Sequence, residues 1–478
     1  MPNIKKNFFY SSILTTANYI FPLLTFPYVS RVLGVTNVGI CSFVDSIIHY
    51  FILFSMMGIG CVGIREVAKY KNDRQKLDET FSSLFWLNTI TTIIALVILF
   101  FATCFIDKLK IHWQMMAIGS LKLIMNYMLI EWLYKGLEEF RFITIRTIIV
   151  KVLYIIGVFL LVRQASDYHI YYLLTVMMIV VNAFVNIIYS RHYVTLLFRN
   201  IGVTLYIKSF FILGIYALLT SMYLSFNVMY LGFVSGETEV GYYSTASKLY
   251  RILIAMFTAF TGVMLPRMSS LLSEGKVDEF KKFLRKSTNI LFAFSIPLVI
   301  FTIVFAPAII NIIAGKGYEG AILPMRIMMP LMLIIGYEQI LIIQALMPLK
   351  KDRAILRNSI YGASVAIILN ILLVPIFASV GSSIVWFASE FVVLCSGQYY
   401  VSKYIGIHFP WNSLIRNIVT NIPLMILLYF INFLTGRFLP IAIASVVVSV
   451  YFVIVQTKVY PNSEIKNIML QGYRRLLK

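Results

Sequence analysis

The chain has 478 residues, 60% of them hydrophobic and only 13% charged. A soluble domain runs about 45–50% apolar and about 25% charged, so a soluble globular protein is excluded. The formal charge of +21 would point to nucleic acid on a soluble domain. Here the cations fall in short connections between apolar runs, which argues against a nucleic-acid partner.

Composition therefore gives an all-α polytopic membrane protein. The mean hydropathy of +0.86 and the 37 Phe and 30 Tyr agree with helices facing lipid and its interface. Lys5 and Lys6 precede the first apolar run. That run is too long for a signal peptide and no small-residue cleavage site follows, so it reads as a span with its N-terminus inside. A spanning helix needs about 20 mostly apolar residues. About fourteen such runs occur: 10–32, 39–62, 82–104, 113–134, 142–162, 169–190, 209–232, 241–264, 288–313, 322–347, 355–377, 380–402, 413–434 and 438–457. The seventh and eighth, and the eleventh and twelfth, are separated by only a few residues, so about twelve or thirteen is the alternative count.

Charge orients the spans. With the N-terminus inside, the even-numbered connections and both termini hold about 30 of the 41 Lys and Arg, and the odd-numbered connections hold about 7. This places both termini in the cytoplasm. The segment EWLYKGLEEFRFITIRTIIVK (131–151) is then the inner turn between spans 4 and 5. Much of its charge is topological, and Glu131 is placed to pair with Lys135 at i+4 on the surface.

A shift of 202 residues superposes the two halves. Lys6, Phe8 and Phe9 land on Lys208, Phe210 and Phe211, Val38–Gly39 on Val240–Gly241, and Arg65 on Arg267. Further on the shift becomes 212, with Arg141 on Arg353. The reading is a parallel pseudo-repeat of two six-helix lobes, 1–200 and 201–405. Residues 406–478 add two more helices and a cytoplasmic tail. No connection exceeds about 25 residues, which leaves no room for a catalytic domain, and no P-loop or GxGxxG follows a strand. Cys41, Cys61, Cys104 and Cys395 lie in apolar stretches without a CxxC pair and read as small buried hydrophobes. The five His are scattered. No catalytic set, metal site or cofactor is expected, apart from candidate H⁺ or Na⁺ coupling.

A charge near the bilayer centre costs about 2.5–3.5 kcal/mol on insertion scales and usually faces a cavity. In span 8, Ser244, Lys248, Arg251, Ala255, Thr258 and Gly262 share one helical face. Lys248 and Arg251 either line a lumen or snorkel to the outer headgroups. The shift places Ser46 opposite Lys248 and His49 opposite Arg251, with Asp45 one turn from His49. Asn18 and Thr25 in span 1, and Thr220 and Asn227 in span 7, either line the lumen or pack helices. Lys122 lies mid-span in helix 4. Glu338 and Glu390 are lone acids in spans 10 and 12. A cationic, hydrogen-bonding cavity in a membrane suits a substrate carrying phosphate and sugar.

EWLYKGLEEFRFITIR, FPYVSRVLGVTNVG (26–39) and GIGCVGIREVAKYKND (58–73) resemble segments of the bacterial lipid-linked oligosaccharide flippases of the Wzx type. The similarity runs along the whole chain. It implies a bacterial inner-membrane, multi-pass flippase of two six-helix lobes. Such a protein moves an undecaprenyl-pyrophosphate-linked oligosaccharide to the outer leaflet by alternating access, for O-antigen or capsule synthesis. Membrane lipid is the surrounding partner, and a polysaccharide polymerase and chain-length regulator are further candidates. Arg31 matches the SRVLG position. The substrate-binding candidates are Lys248, Arg251, His49, Lys122 and Arg31, and the polar lining candidates are Asn18, Thr25, Ser46, Thr220, Asn227 and Thr258. Asp45 and Glu390 are the ion-coupling candidates. The alternatives are a cation-coupled multidrug exporter of the same fold, which would want an acidic cavity, and a membrane enzyme such as a polymerase or ligase, which would need a large outer loop.

Overall fold

The computed structural model describes residues 4–198, 202–434, 436 and 438–459; several side chains in that range, that of Thr220 among them, lie outside the described residues. The chain is 88% helical, with no strand among the described residues. Among the described residues, ten helices are long and apolar enough to cross a membrane, or eleven if the bent pair Glu237–Ala255 and Phe260–Ser273 counts as one span. Outward-facing side chains such as Ile90, Ile94, Ile98 and Phe101 make the described helix Arg74–Phe105 oily on the outside as well as the inside. That suits lipid rather than water.

The number of long helices is below the expected fourteen because some runs join end to end. The helix Ile4–Met56 contains two apolar runs and is broken only at Gly34, at φ 76° and ψ 169°. That conformation is open to glycine and closed to most other residues. Asp352–Ile405 contains two more runs, broken at Ala378 at φ 47° and ψ −124°. Ala378 lacks glycine's freedom there, at a cost on the order of 1–3 kcal/mol. Pro375 withholds an amide from the ladder just before it. A further apolar helix, Val203–Leu224, overlaps the expected run 209–232 and is followed by the short helix Phe226–Ser235.

The 202-residue shift reappears in the backbone. Gly236 (236 − 34 = 202) is at φ 91° and ψ 175°, nearly the conformation of Gly34. Packing between the two segments is reciprocal. A Cβ on Gly39 would come within 1.8 Å of the Glu237 carbonyl oxygen, and one on Gly241 within 2.3 Å of the Val35 carbonyl oxygen. Glu237 and Gly241 are Val35 and Gly39 advanced by 202. The hydroxyls of Thr36 and Thr238, again 202 apart, meet at 2.9 Å. Contacts of i on j and j on i are what a two-fold axis between equivalent segments produces.

Two compact units divide the chain, Met1–Ser244 and Thr245–Lys478. In the first, Ile59, Val62, Leu84, Leu133, Tyr134 and Phe210 are among the buried residues of one apolar core. In the second, Met268, Leu271, Phe280, Leu291 and Val401 belong to another. The last two helices, Trp411–Ile431 and Leu439–Ile454, pack on each other and on Val277–Val304. Leu424, Leu428 and Ala444 form their own core with Phe305.

Candidate functional site

The charged segment at 131–146 packs through one glycine of its own, Gly136, and one of its neighbour, Gly63. Ile130 turns the backbone at φ 37°, and Glu131–Gly136 forms a short helix. It lies against the helix Ile59–Tyr70 where side chains are missing. A Cβ on Gly63 would be 2.5 Å from the Trp132 ring, and one on Gly136 would be 2.7 Å from Val67. Glu131 takes its expected bond from Lys135 at 3.0 Å. It also accepts from Arg146 Nη2 at 3.2 Å, while Arg146 Nη1 donates to Asn186 Oδ1 at 2.8 Å. The Asn186 amide donates to the Leu129 carbonyl, and the Tyr134 hydroxyl donates to the Asn186 carbonyl. Arg146 is 5% exposed. It is therefore not a solvated loop cation, as the inner-turn assignment has it. It ties three helices of the first unit together from inside.

Deeper in the first unit, Lys122 Nζ donates to Asp45 Oδ1 at 2.5 Å, and the Tyr172 hydroxyl reaches the same oxygen at 3.5 Å. These groups come from Ile4–Met56, Trp113–Asn126 and Tyr168–Ser190. Two residues assigned separate roles by position, one cationic and one acidic, thus form one ion pair. Their charges compensate each other where each alone would be costly. Lys151, in the middle of Phe140–Leu161, donates to Asn18 Oδ1 at 2.5 Å and stands 5.5 Å over the Phe21 ring.

In the second unit, Lys248 and Arg251 lie one turn apart on Glu237–Ser273. Arg251 is exposed and Lys248 half-buried, whereas Leu249, Tyr250 and Ile254 on the other faces are buried. Further along, Thr258 accepts from Gln339 Nε2 at 3.1 Å, and Thr261 donates to Gln339 Oε1 at 3.1 Å. Glu338 and Glu390, lone acids by sequence position, are both buried and lie next to each other. The Trp386 indole donates to Glu390 Oε1 at 3.0 Å.

The other candidates are scattered. Arg31 is exposed, one turn before the break at Gly34. His49 is exposed, its ring edge-on to Tyr50 at 6.3 Å. The Ser46 hydroxyl bonds back to the Phe43 carbonyl at 2.6 Å, and that of Thr25 to the Phe21 carbonyl at 3.2 Å. Thr25 and Asn227 are buried, and the Asn227 amide donates to the Tyr243 hydroxyl. The side chain of Thr220 lies outside the described residues.

Position in the sequence overlooked Arg146, Lys151, Tyr172 and Gln339. Only Lys151 carried a visible signal, a cation in the middle of the run 142–162. Of the cysteines, Cys41 alone is buried; Cys61, Cys104 and Cys395 are exposed, against the expectation of four buried ones. In a bilayer the outer face of a helix accepts a small hydrophobe as readily as the inner face. Among the described residues, no three His, Cys, Asp or Glu side chains gather into a group that could hold a metal ion.

Residues 4–272 match the family described as polysaccharide biosynthesis protein. The chain is 26% identical over 399 residues to a protein of Escherichia coli (strain K12) named "Putative O-antigen transporter", covering 82% of this chain and 95% of that one. A protein of the same name from Shigella dysenteriae is 24% identical over 405 residues, covering 82% and 98%. In fold, the chain is similar to a lipid II flippase, MurJ, in an inward closed conformation. The TM-score is 0.77 at 15% identity, with 94% of this chain and 98% of that one covered. An inward-facing multidrug resistance transporter of the MATE family and MOP superfamily has TM-score 0.63 at 13% identity, covering 82% and 98%.

Proposed function

The chain belongs to the polysaccharide biosynthesis protein family, and on that footing we propose that it is a flippase for lipid-linked oligosaccharide. The substrate in this reading is an undecaprenyl-pyrophosphate-linked repeat unit. It moves from the cytoplasmic to the outer leaflet of a bacterial inner membrane, for O-antigen or capsule assembly. Both termini are cytoplasmic. Downstream, a polymerase and a chain-length regulator take up the product.

The observation that carries the reading is the face of Glu237–Ser273 on which Lys248 and Arg251 stand one turn apart within an apolar helix. Guanidinium and ammonium match a pyrophosphate, whereas an exporter of cationic drugs would be disfavoured by them. In the first unit His49, Arg31 and Lys122 are the candidates for an anionic group. Lys122 becomes available when the phosphate replaces Asp45 as its partner. The neutral candidates for sugar hydroxyls are Asn18, Ser46, Thr25, Thr220 and Asn227 in the first unit and Thr258 in the second.

Cation coupling falls to Glu390 rather than Asp45. Asp45 already neutralises Lys122. Glu390 is buried within a span, and among the described residues no Lys or Arg pairs with it, which suits a site for an incoming cation. In membrane vesicles, stimulation of transport by an imposed H⁺ or Na⁺ gradient is expected to vanish in Glu390→Gln and to persist in Asp45→Asn. Equal stimulation in wild type and Glu390→Gln would remove the assignment.

The function itself is tested by the leaflet distribution of undecaprenyl-linked oligosaccharide in cells with and without the chain, scored together with surface polysaccharide. Inner-leaflet accumulation and loss of surface glycan are expected without it. An unchanged distribution, with drug efflux dependent on the chain, would favour the exporter.

A further inference from the structure

Lys151 is a cation in the middle of an apolar span whose hydrogen-bond partner is neutral. Its ammonium donates to Asn18 Oδ1 at 2.5 Å and stands over Phe21, and among the described residues no carboxylate forms an ion pair with it. Lys122 and Arg146, the other deep cations of this unit, each hold a carboxylate. An uncompensated ammonium at this depth is costly unless an anion comes to it.

The two helices that carry the pair are pinned on either side of it. Toward their cytoplasmic ends Thr144 donates to the Tyr10 carbonyl at 3.0 Å. Toward the other end the Tyr28 hydroxyl donates to the Val162 carbonyl at 2.7 Å. Between the Tyr10 pin and Lys151 lies a cavity of about 380 Å³ lined chiefly by Phe9, Ile13, Ile20, Phe21 and Ile148. Phe21 is shared: it lines the cavity and lies beneath the Lys151 ammonium. The site is an apolar chamber open on one side, lined mainly by Ile4–Met56, with the Lys151 ammonium beside it over the shared Phe21 ring.

We propose that this chamber binds a prenyl phosphate lipid, with the phosphate on Lys151 and Asn18 and the first isoprene units in the cavity between Ile4–Met56 and Phe140–Leu161. A free phosphate would leave the apolar walls unfilled. A neutral hydrocarbon would leave the ammonium unpaired. One ligand that satisfies both has an anionic head on an oily tail. The choice of an isoprenoid tail rests on the proposed function; the head-and-tail chemistry does not.

The probe is farnesyl phosphate, with inorganic phosphate and farnesol as head-only and tail-only controls. Binding is measured on the full chain in detergent, for variants that match wild type in monodispersity and thermal unfolding. Lys151→Gln, which keeps the bond to Asn18 but removes the charge, is expected to weaken farnesyl phosphate by about ten- to a hundredfold. Lys151→Arg is expected to stay within about threefold. Thr16→Trp, which fills the cavity from an exposed position on its wall, should weaken it about tenfold. Asn18→Ala gives a milder loss and serves if Lys151→Gln unfolds. Wild-type affinity in both Lys151→Gln and Thr16→Trp overturns the site. So does farnesol binding as tightly as farnesyl phosphate, or inorganic phosphate doing so. The two readings fail separately. If cells lacking the chain export glycan normally, the flippase reading falls while farnesyl phosphate binding stands. If Lys151→Gln binds and exports like wild type, only this chamber falls.

Discussion

Arg251→Ala is expected to lower export of lipid-linked sugar by at least about a hundredfold, in a protein that inserts and folds like the wild type. A charge in a span costs about 2.5–3.5 kcal/mol to insert, so its removal should not impair insertion. Arg251 is exposed, whereas Leu249, Tyr250 and Ile254 on the other faces of its helix are buried. Truncating it opens no cavity. What is lost is a planar fork of donors for pyrophosphate. Each charge-assisted hydrogen bond is worth about 1.5–3 kcal/mol, and two together give the hundredfold or more. Arg251→Lys keeps the charge and loses the fork, so a reduction of about tenfold is expected instead. Surface polysaccharide and the leaflet distribution of the carrier, at matched expression, read both variants. Wild-type export by Arg251→Ala would remove the anion site from this helix face. Poor insertion of Arg251→Ala would show that the residue is structural.

Counting cations shows how far the sequence alone reached. Of the 41 Lys and Arg, the 30 on inner connections and termini and the 7 on outer connections leave 41 − 30 − 7 = 4: Lys122, Lys151, Lys248 and Arg251. Each lies within a helix, and each stands out in one dimension because an apolar neighbourhood makes a charge visible. The gap between the runs 10–32 and 39–62 was legible too, and the helix breaks inside it at Gly34. Ala378 breaks its helix with nothing in its identity to say so. What remained hidden is pairwise. Asp45 and Lys122 are 77 positions apart, and each carries only its own charge in the sequence, so their neutralisation emerges only in the fold. Trp132 and Gly63 likewise fit because a missing side chain on one helix meets an indole on another. The repeat was readable as a shift, but the reciprocal contacts of Gly39 and Gly241 required both copies to be in place.

Arg146→Ala should do the opposite of Arg251→Ala: destabilise the first unit strongly, with any loss of export following from that. Arg146 was counted among the inner cations because a turn of mixed charge precedes it. Its side chain is 4% exposed and bonds Glu131 and Asn186 from within the packing. Removing one partner of a buried ion pair costs about 3–5 kcal/mol, because the other is left charged and unpaired. Glu131 is one-third exposed and keeps Lys135, which puts the expected loss near the low end, about 3 kcal/mol. Asn186 loses its donor as well, and that loss is not repaired by water in a span. Thermal unfolding in detergent reads the change, with Arg251→Ala as the unaffected control. The double variant Arg146→Ala, Glu131→Gln separates the pair from mere loss of volume. With no carboxylate left unpaired, it should recover at least about 1 kcal/mol relative to the sum of the single variants. Strict additivity would mean that Arg146 acts through packing alone and that its link to Glu131 contributes nothing. Recovery would show that the charges of the 131–146 segment serve as an internal bolt as well as a topological signal.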